Sequence, residues 1–210
     1  GNLVRRLVEL GAQVTVVDAL MPNTGANSFN LGDVEGGITV YVVNMAAEDA
    51  MREPVRGKTF IFNLAGQVSH IESMRDPYSD LMMNCQAQLG LLEACRKHAP
   101  GAKIVFTGTR QQYGRPEYLP VGERHPLRPI DINGIHKVAG EAYHLLYGRL
   151  YGLRTTSLRL TNTYGPGQPM RHGRDAFVAW LIRRAIDGEQ IELFGDGRQM
   201  RDFTYVDDVV

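Results

Sequence analysis

One side chain indicates a chemical role from its position alone. Asp18 ends a predicted strand, residues 13–18, that follows the first predicted helix. In a dinucleotide-binding βαβ unit, an acidic residue at this point hydrogen-bonds the adenosine ribose and repels a 2′-phosphate. Asp18 therefore favours NAD over NADP, although an aspartate after a strand is also an ordinary turn residue.

The two cysteines, Cys85 and Cys95, lie on one predicted helix. At about 1.5 Å of rise per residue they are roughly 15 Å apart, whereas a disulfide needs Cα atoms within about 7 Å. The sequence shows no cysteine–histidine spacing typical of a metal site. We therefore expect reduced, buried thiols in a cytoplasmic protein, and no metal.

Composition excludes several classes of partner. The 23 basic and 23 acidic residues cancel, so no charge pattern favours nucleic acid or an anionic membrane. No apolar run approaches the roughly 20 residues that span a bilayer. The 210 residues can bury one substantial core, which predicts a globular protein without nucleic-acid or membrane partners.

Strand-like and helix-like stretches alternate along the chain, which predicts βαβ units and a parallel sheet with helices on both faces. The expected fold is a Rossmann-type, doubly wound α/β sheet. Helices are predicted near residues 3–10, 46–52, 77–98, 134–151 and 176–186, and strands near 13–18, 38–43, 59–63, 103–106, 155–160 and 190–194.

The ends of the chain do not coincide with the ends of such a fold. Residue 1 opens directly into a helix, whereas a Rossmann unit begins with a strand and a glycine-rich turn. We therefore expect the first strand and the glycine turn to be missing. Residues 1–165 are predicted to form an NAD-binding domain, and residues 166–210 the start of a substrate-binding region.

Several segments carry a resemblance to a known family. They are Gly1-Asn2-Leu3-Val4, Asn63-Leu64-Ala65-Gly66-Gln67, Phe106-Thr107-Gly108-Thr109 with Tyr113-Gly114, Arg159-Leu160-Thr161-Asn162 with Tyr164-Gly165-Pro166, residues 195–203, and Tyr205-Val206-Asp207-Asp208. In order and spacing they resemble the NAD-dependent epimerase/dehydratase group of the extended short-chain dehydrogenase/reductases. The resemblance implies bound NAD and a nucleoside-diphosphate sugar as substrate.

The resemblance also implies roles for individual residues. Thr109 corresponds to the catalytic Ser/Thr, and Lys137 to the lysine that holds the nicotinamide ribose and lowers a tyrosine pKa. The remaining assignments are cofactor contacts at Asn44, Met45, Leu64, Ala65 and Gly66, and substrate contacts at Gln67, Asn162 and Arg201. From the residues alone, Thr109 could simply cap a turn, and Lys137 and Arg201 could be solvated surface charges.

The family's proton-transferring tyrosine is absent. Its position, four residues before Lys137, holds Asn133, and an amide cannot titrate near neutral pH. Three explanations stay open: another residue takes the proton, with His136, Tyr113 and Tyr164 as candidates; the reaction differs; or the protein binds NAD without turnover.

Two further features separate subclasses and oligomeric states. In place of the Asp-Glu pair that the family's 4,6-dehydratases carry after the threonine, the chain has Arg110 and Gln111. This difference disfavours dehydration and favours epimerisation, or simple oxidation or reduction at a sugar carbon. The helices near 77–98 and 134–151 match the family's dimer helices, which implies a homodimer, unless their apolar residues cover the sheet instead. Those residues are Leu81, Cys85, Leu89, Leu92, Leu145, Leu146 and Leu150.

Overall fold

The computed structural model describes residues 1–21, 26–170, 176–192 and 195–210. Helices and strands alternate as predicted. The helices are α1 (Asn2–Glu9), α2 (Glu48–Val55), α3 (His70–Arg75), α4 (Pro77–Leu81), α5 (Ala87–His98), α6 (Ile132–Tyr151), α7 (Phe177–Ile186) and α8 (Val206–Val209). The strands are β1 (Val14–Asp18), β2 (Ile38–Val42), β3 (Phe60–Asn63), β4 (Lys103–Thr109), β5 (Arg154–Leu160), β6 (Asn162–Tyr164) and β7 (Phe203–Tyr205).

The strands form three ladders, in the orders β1–β2, β3–β4–β5 and β6–β7. β4 pairs in parallel with both β3 and β5, and β6 pairs in parallel with β7. A Rossmann sheet places its first strand between the strands equivalent to β1 and β3. The described residues contain no strand at that place, so β1–β2 and β3–β4–β5 are separate ladders. The predicted α/β fold with parallel strands is confirmed.

Three predicted elements differ from the structure. The apolar run 59–63 predicts a buried strand, but in β3 Phe60 is 52% exposed and Phe62 is 37% exposed. The reason is that β3 is an edge strand of its ladder. No described strand includes Gln190 to Glu192, and residues 193 and 194 of that predicted strand lie outside the described residues.

The helix predicted over residues 77–98 is interrupted. α4 and α5 are joined by one π-helical turn, Met82–Gln86, in which Asn84 and Cys85 are buried. An inserted π turn is frequent at functional sites, because it changes which side chains a helix directs toward a neighbouring element.

The larger of two compact units comprises residues 17–24 and 40–160, and the smaller one residues 1–16, 25–39 and 161–210. In the larger unit Leu92, Ala94 and Cys95 of α5 pack with Ile104 of β4 and with Leu153. Cys85 and Leu92 were predicted to lie on a dimer surface, but they are 6% and 0% exposed and belong to the interior. Both cysteines are buried and free.

The smaller unit is held by polar contacts around its β6–β7 ladder. The side-chain amide of Asn2 donates to the Pro166 oxygen across 2.9 Å, and Arg5 donates to Asp33 from Nε across 2.6 Å. The predicted boundary at residue 165 stays a prediction. None of the described helices has the length and apolar character needed to cross a membrane.

Candidate active site

Polar residues of the larger unit meet at one edge of the β3–β4–β5 ladder. β3 and β4 are parallel, with Asn63 opposite Phe106, so the segment after β3 and the end of β4 at Thr109 lie at the same edge. In open α/β sheets, ligands bind outside the carboxyl ends of parallel strands. The predicted cofactor segment and the predicted catalytic threonine therefore share the edge at which a ligand is expected.

Because Gly66 has no side chain, the segment after β3 lies close to Asn84 and Lys137. Its φ is 151°, and an added Cβ would overlap Asn84 Oδ1 and lie 2.9 Å from Lys137 Nζ. On the other side of the chain Leu64 is 57% exposed and Ala65 is also exposed. An apolar surface above a side-chain-free turn fits the flat ring system of a dinucleotide, so these residues fit the expected cofactor.

Lys137 is 5% exposed and is not a solvated helix lysine. Its Nζ donates to the Thr107 oxygen across 3.3 Å and lies 5.3 Å from the centre of the Phe106 ring. Burial lowers the pKa of Lys137 to about 8, against the opposing effect of the Asp80 and Cys85 charges. Lysines with pKa values lowered in this way are frequent at functional sites.

Thr109 caps the turn that follows β4. Its hydroxyl accepts from the Gln111 N–H at 3.3 Å, and its own N–H donates to Gln112 Oε1 at 2.9 Å. The capping interpretation is therefore correct, and it is compatible with a catalytic role because the hydroxyl oxygen keeps its own proton to donate.

The ion pair between Glu141 and Arg159 is connected to Thr109 through Gln112. Gln112 is fully buried and donates to Glu141 across 3.1 Å, and Arg159 donates to the same carboxylate from Nε across 3.0 Å. Burial raises the pKa of Glu141, but bonds from Arg159 and its neighbours lower it more, so the pKa lies below its ordinary value. Glu141 is charged at neutral pH, and Gln112 connects it to Thr109.

The Asn133 side chain is buried and hydrogen-bonded to protein groups. The helix begins at Ile132, earlier than predicted, because the Asp131 carboxylate accepts from the Gly134 N–H at 2.6 Å. Asn133 therefore lies in the first turn of α6, 1% exposed, and its amide nitrogen donates to the Gln67 oxygen at 2.7 Å and to Asp80 at 3.1 Å.

Asp80 accepts hydrogen bonds from several side chains. The sequence motifs did not indicate this residue. This carboxylate is 1% exposed and accepts from the Asn84 amide at 3.0 Å, from the Asn133 amide and from His136 Nδ1 at 2.7 Å. The available signal was the spacing of Asp80 and Asn84, two polar residues one turn apart on a largely apolar helix.

The candidates for the missing phenol lie in different environments. His136 is bound to Asp80 through Nδ1. The Tyr113 hydroxyl accepts from Arg159 at 3.0 Å, and the guanidinium lies 5.0 Å from the centre of its ring. Tyr164 belongs to the smaller unit, where its ring packs against Phe203 and Tyr205.

The predicted adenosine contacts lie at the ends of β1 and β2. Asp18, the last residue of β1, is exposed, and one of its oxygens accepts from the Leu20 N–H at 2.8 Å. Asn44, shortly after β2, is also exposed and accepts from the Ala46 N–H at 2.9 Å, whereas Met45 packs against the core. The ends of the two strands are neighbours, since the Val43 N–H donates to the Asp18 oxygen at 3.2 Å.

The predicted substrate residues are divided between the units. Gln67 belongs to the larger unit, and its side-chain oxygen accepts from the Val68 N–H at 2.9 Å. Asn162 and Arg201 belong to the smaller unit and lie close together there, because the Asn162 amide donates to the Asp202 oxygen at 2.8 Å.

Comparison with known proteins identifies the family. Its description is "NAD dependent epimerase/dehydratase family", and the match covers residues 1–210. The chain belongs to this family. The resemblance drawn from the sequence motifs is confirmed, and with it NAD as the cofactor on which the family depends.

Individual relatives agree with this assignment. The chain is 31% identical to a putative UDP-glucose 4-epimerase of Methanocaldococcus jannaschii over 99% of its length. It superposes with a TM-score of 0.90 and 33% identity on UDP-glucose 4-epimerase from Thermotoga maritima with UDP-glucose, which covers 99% of this chain. The UDP-glucose 4-epimerase of Thermus thermophilus in complex with NAD gives a TM-score of 0.86, 33% identity and 99% coverage of this chain.

The chain is shorter than these relatives. It spans 66% of the length of the archaeal protein, and 66% and 67% of the two solved chains.

Proposed function

We propose that the protein is an NAD-dependent epimerase that acts on a nucleoside-diphosphate sugar by transient hydride transfer at a sugar carbon. The observation that carries the proposal is the buried Lys137 amine beneath the Gly66 turn, at the strand edge that also presents Thr109. This combination of a buried amine, a hydroxyl and an apolar surface suits a dinucleotide and a polyol substrate.

The residues of the larger unit would divide the work as follows. Leu64, Ala65 and Lys137 would hold the nicotinamide half of the cofactor, and Asp18 and Asn44 its adenosine half. When bound, NAD supplies a reversible acceptor for a hydride from the sugar carbon. Thr109 would donate a hydrogen bond to the sugar oxygen. The hydrogen bond from the Thr109 N–H to Gln112 Oε1 would keep Thr109 in position.

Epimerisation is favoured over dehydration by the turn after Thr109. Elimination of water needs a positioned acid and base beside the sugar. Arg110 and Gln111 occupy the first positions of that turn, and neither carries a carboxyl group. Asn162, Arg201 and Gln67 are proposed to contact the substrate, and a guanidinium such as that of Arg201 suits a diphosphate because it can bind two oxygens.

We also propose a cytoplasmic homodimer. The exposed apolar residues of α4 and α6 support the dimer, since Leu81 is 45% exposed, Leu146 46% and Leu150 63%. Free, buried cysteines support a reducing compartment.

A second function, a non-catalytic NAD sensor, is favoured by one observation. Asn133 occupies the position of the family's tyrosine, and its amide is committed to Gln67 and Asp80. Such a protein would bind cofactor and ligand, and its partner interactions would depend on the redox state.

Spectroscopy of the protein expressed from its complete gene separates the two functions. Purified protein with bound NAD is mixed with UDP-, dTDP-, GDP- and CDP-sugars, while reduced-nicotinamide absorbance and the sugar products are followed. An epimerase shows transient reduction and a new epimer with at least one of them. Bound NAD that no nucleotide sugar reduces would leave only the sensor.

A further inference from the structure

We propose that the side-chain amine of Lys137 itself takes the sugar hydroxyl proton and later returns it, in place of the family's phenol. The inference rests on the proposed epimerase function and assigns the step that Asn133 cannot perform.

The direction of the Asn133 side chain is the first argument. Asn133 and Lys137 are one turn apart on α6, so their side chains are neighbours. The amide nitrogen of Asn133 is nevertheless directed to Asp80 and the Gln67 oxygen. An amide cannot titrate near neutral pH, so the Lys137 amine is the group one turn further along this face of α6 that can accept a proton.

The contacts of the Lys137 amine are the second argument. Within the part of the chain that the structure describes, the hydrogen bond of Nζ is with the Thr107 oxygen, and no carboxylate lies within ion-pair distance. The Phe106 ring covers another side. A neutral amine that donates to a carbonyl oxygen keeps a lone pair that can accept a proton, and a buried amine without a counter-ion readily loses its charge.

The surrounding charges agree with this geometry. Asp80 of α4 and Cys85 of the π turn act to raise the pKa of Lys137. The Lys137 charge in turn contributes to the lowered pKa of His144 on α6. Burial outweighs these groups and brings the pKa of Lys137 to about 8. With that pKa, roughly a tenth of the amine is neutral at pH 7, and the positive ring of oxidised NAD would increase this fraction.

The proton-transfer step balances with the cofactor already named. The hydroxyl O–H bond breaks and an N–H bond forms on Nζ. The O–H electron pair would become the second carbon–oxygen bond as the carbon–hydrogen bond breaks, and bound NAD would supply the acceptor for the hydride. In the reverse direction, Nζ would give the same proton back to the oxygen.

The lysine titration is measured first, without turnover. Labelled lysine Cε resonances are followed by NMR against pH in the NAD-free and NAD-bound protein. Lys103 is the matched control, because its amine also lies over a phenylalanine ring, at 5.2 Å from Phe60, but it is exposed. We expect a Lys137 midpoint near pH 8, below the ordinary lysine value of 10.5, and we expect Asp80→Asn to lower it further. A Lys137 midpoint at the ordinary lysine value overturns the proposal.

Turnover is measured second, with Lys137→Arg and His136→Gln. Arginine keeps the positive charge and hydrogen bonds toward a ribose but cannot accept a proton, so Lys137→Arg should bind NAD within a few-fold while turnover falls about 10²–10⁴-fold. In the unsubstituted protein and in His136→Gln, turnover should fall at low pH with the Lys137 midpoint. The proposal is overturned if Lys137→Arg keeps more than a tenth of the turnover of the unsubstituted protein. It is also overturned if His136→Gln no longer shows the decline in turnover at low pH.

The two proposals fail differently. If the unsubstituted protein turns over no nucleotide sugar, the proposed epimerase function fails and the inference falls with it. If it turns them over and the lysine measurements fail, only the inference is lost.

Discussion

Asn133 and Asp80 face each other across 3.1 Å, amide nitrogen to carboxylate oxygen, and each residue is 1% exposed. The same amide nitrogen donates to the Gln67 oxygen at 2.7 Å. An amide supplies two N–H donors where a phenol supplies one O–H. The replacement of the family's tyrosine is therefore matched to a buried carboxylate and fastens the segment after β3 to α4 and α6.

Asn133→Leu tests how much this bridge contributes to folding. It removes the donors for Asp80 and for the Gln67 oxygen and leaves a buried charge with one partner fewer. We expect the free energy of unfolding in urea to fall by about 2–4 kcal/mol. Asn44→Ala, at an exposed asparagine that also accepts a local N–H, is the control and should cost less than about 1 kcal/mol. Equal losses would contradict the assignment.

His144 makes folding stability depend on pH. It is fully buried, its ring stacks on Phe106 at 4.4 Å, and burial lowers its pKa to about 4. A lowered folded-state pKa stabilises the fold above the unfolded value near 6.5, and this stability is lost as pH falls toward 4. Across that pH window, His144 should lower the free energy of unfolding by up to about 3 kcal/mol, as measured by urea unfolding at several pH values. His144→Gln should abolish this decrease. His70→Gln, at an exposed histidine, should keep the dependence, and an unchanged curve for His144→Gln would be evidence against buried titration.

Gly108 and Gln112 should be energetically coupled. A Cβ on Gly108 would overlap Gln112 Oε1, the atom that binds the Thr109 N–H. Gly108→Ala should therefore destabilise the protein by about 1–3 kcal/mol. In a Gln112→Ala background the same change should cost at least about 1 kcal/mol less. Thermal or urea unfolding of the four proteins gives the coupling energy, and a value near zero would mean that the side chain moves aside freely.

Asp18 should set the preference for NAD over NADP. Its exposed carboxylate lies at the end of β1, where it can accept from ribose hydroxyls and repel a phosphate. Asp18→Ser should weaken NAD binding about tenfold and tighten NADP binding relative to NAD by a further tenfold or more. Calorimetric titration of both cofactors measures the ratio. Glu35→Ser, at another exposed carboxylate, is the control, and the cofactor role of Asp18 is excluded if the two variants show the same ratio.

The exposed leucines of α6 should hold a homodimer together. Leu146→Glu with Leu150→Glu places charges on residues that are 46% and 63% exposed, so the fold of each subunit should tolerate them. Light scattering should show the mass of a dimer before and of a monomer after the change, because unpaired charges in an apolar interface are strongly unfavourable. Leu127→Glu, outside the dimer helices, should leave the dimer intact.

Sequence reasoning was sufficient for the fold and the family. Local periodicity places most helices and strands, because burial of one helix face or of both strand faces imposes a regular spacing of apolar residues. Spaced motifs such as Asn63 to Gln67 and Thr107 to Tyr113 identify the family, since each retains its residue types in order. Lys137 and Thr109 were chosen in the same way.

The tertiary structure determines the burial and the hydrogen-bond partners of the site residues. The burial of Lys137 comes from β4 and the Gly66 turn, which are distant from it in sequence. Asp80 became visible as a shared acceptor only when α4 and α6 were brought together, since its donors Asn133 and His136 lie more than fifty residues further along the chain. A sequence records which groups can ionise or donate, whereas desolvation and hydrogen-bond geometry arise between chain segments that only the folded structure places in contact.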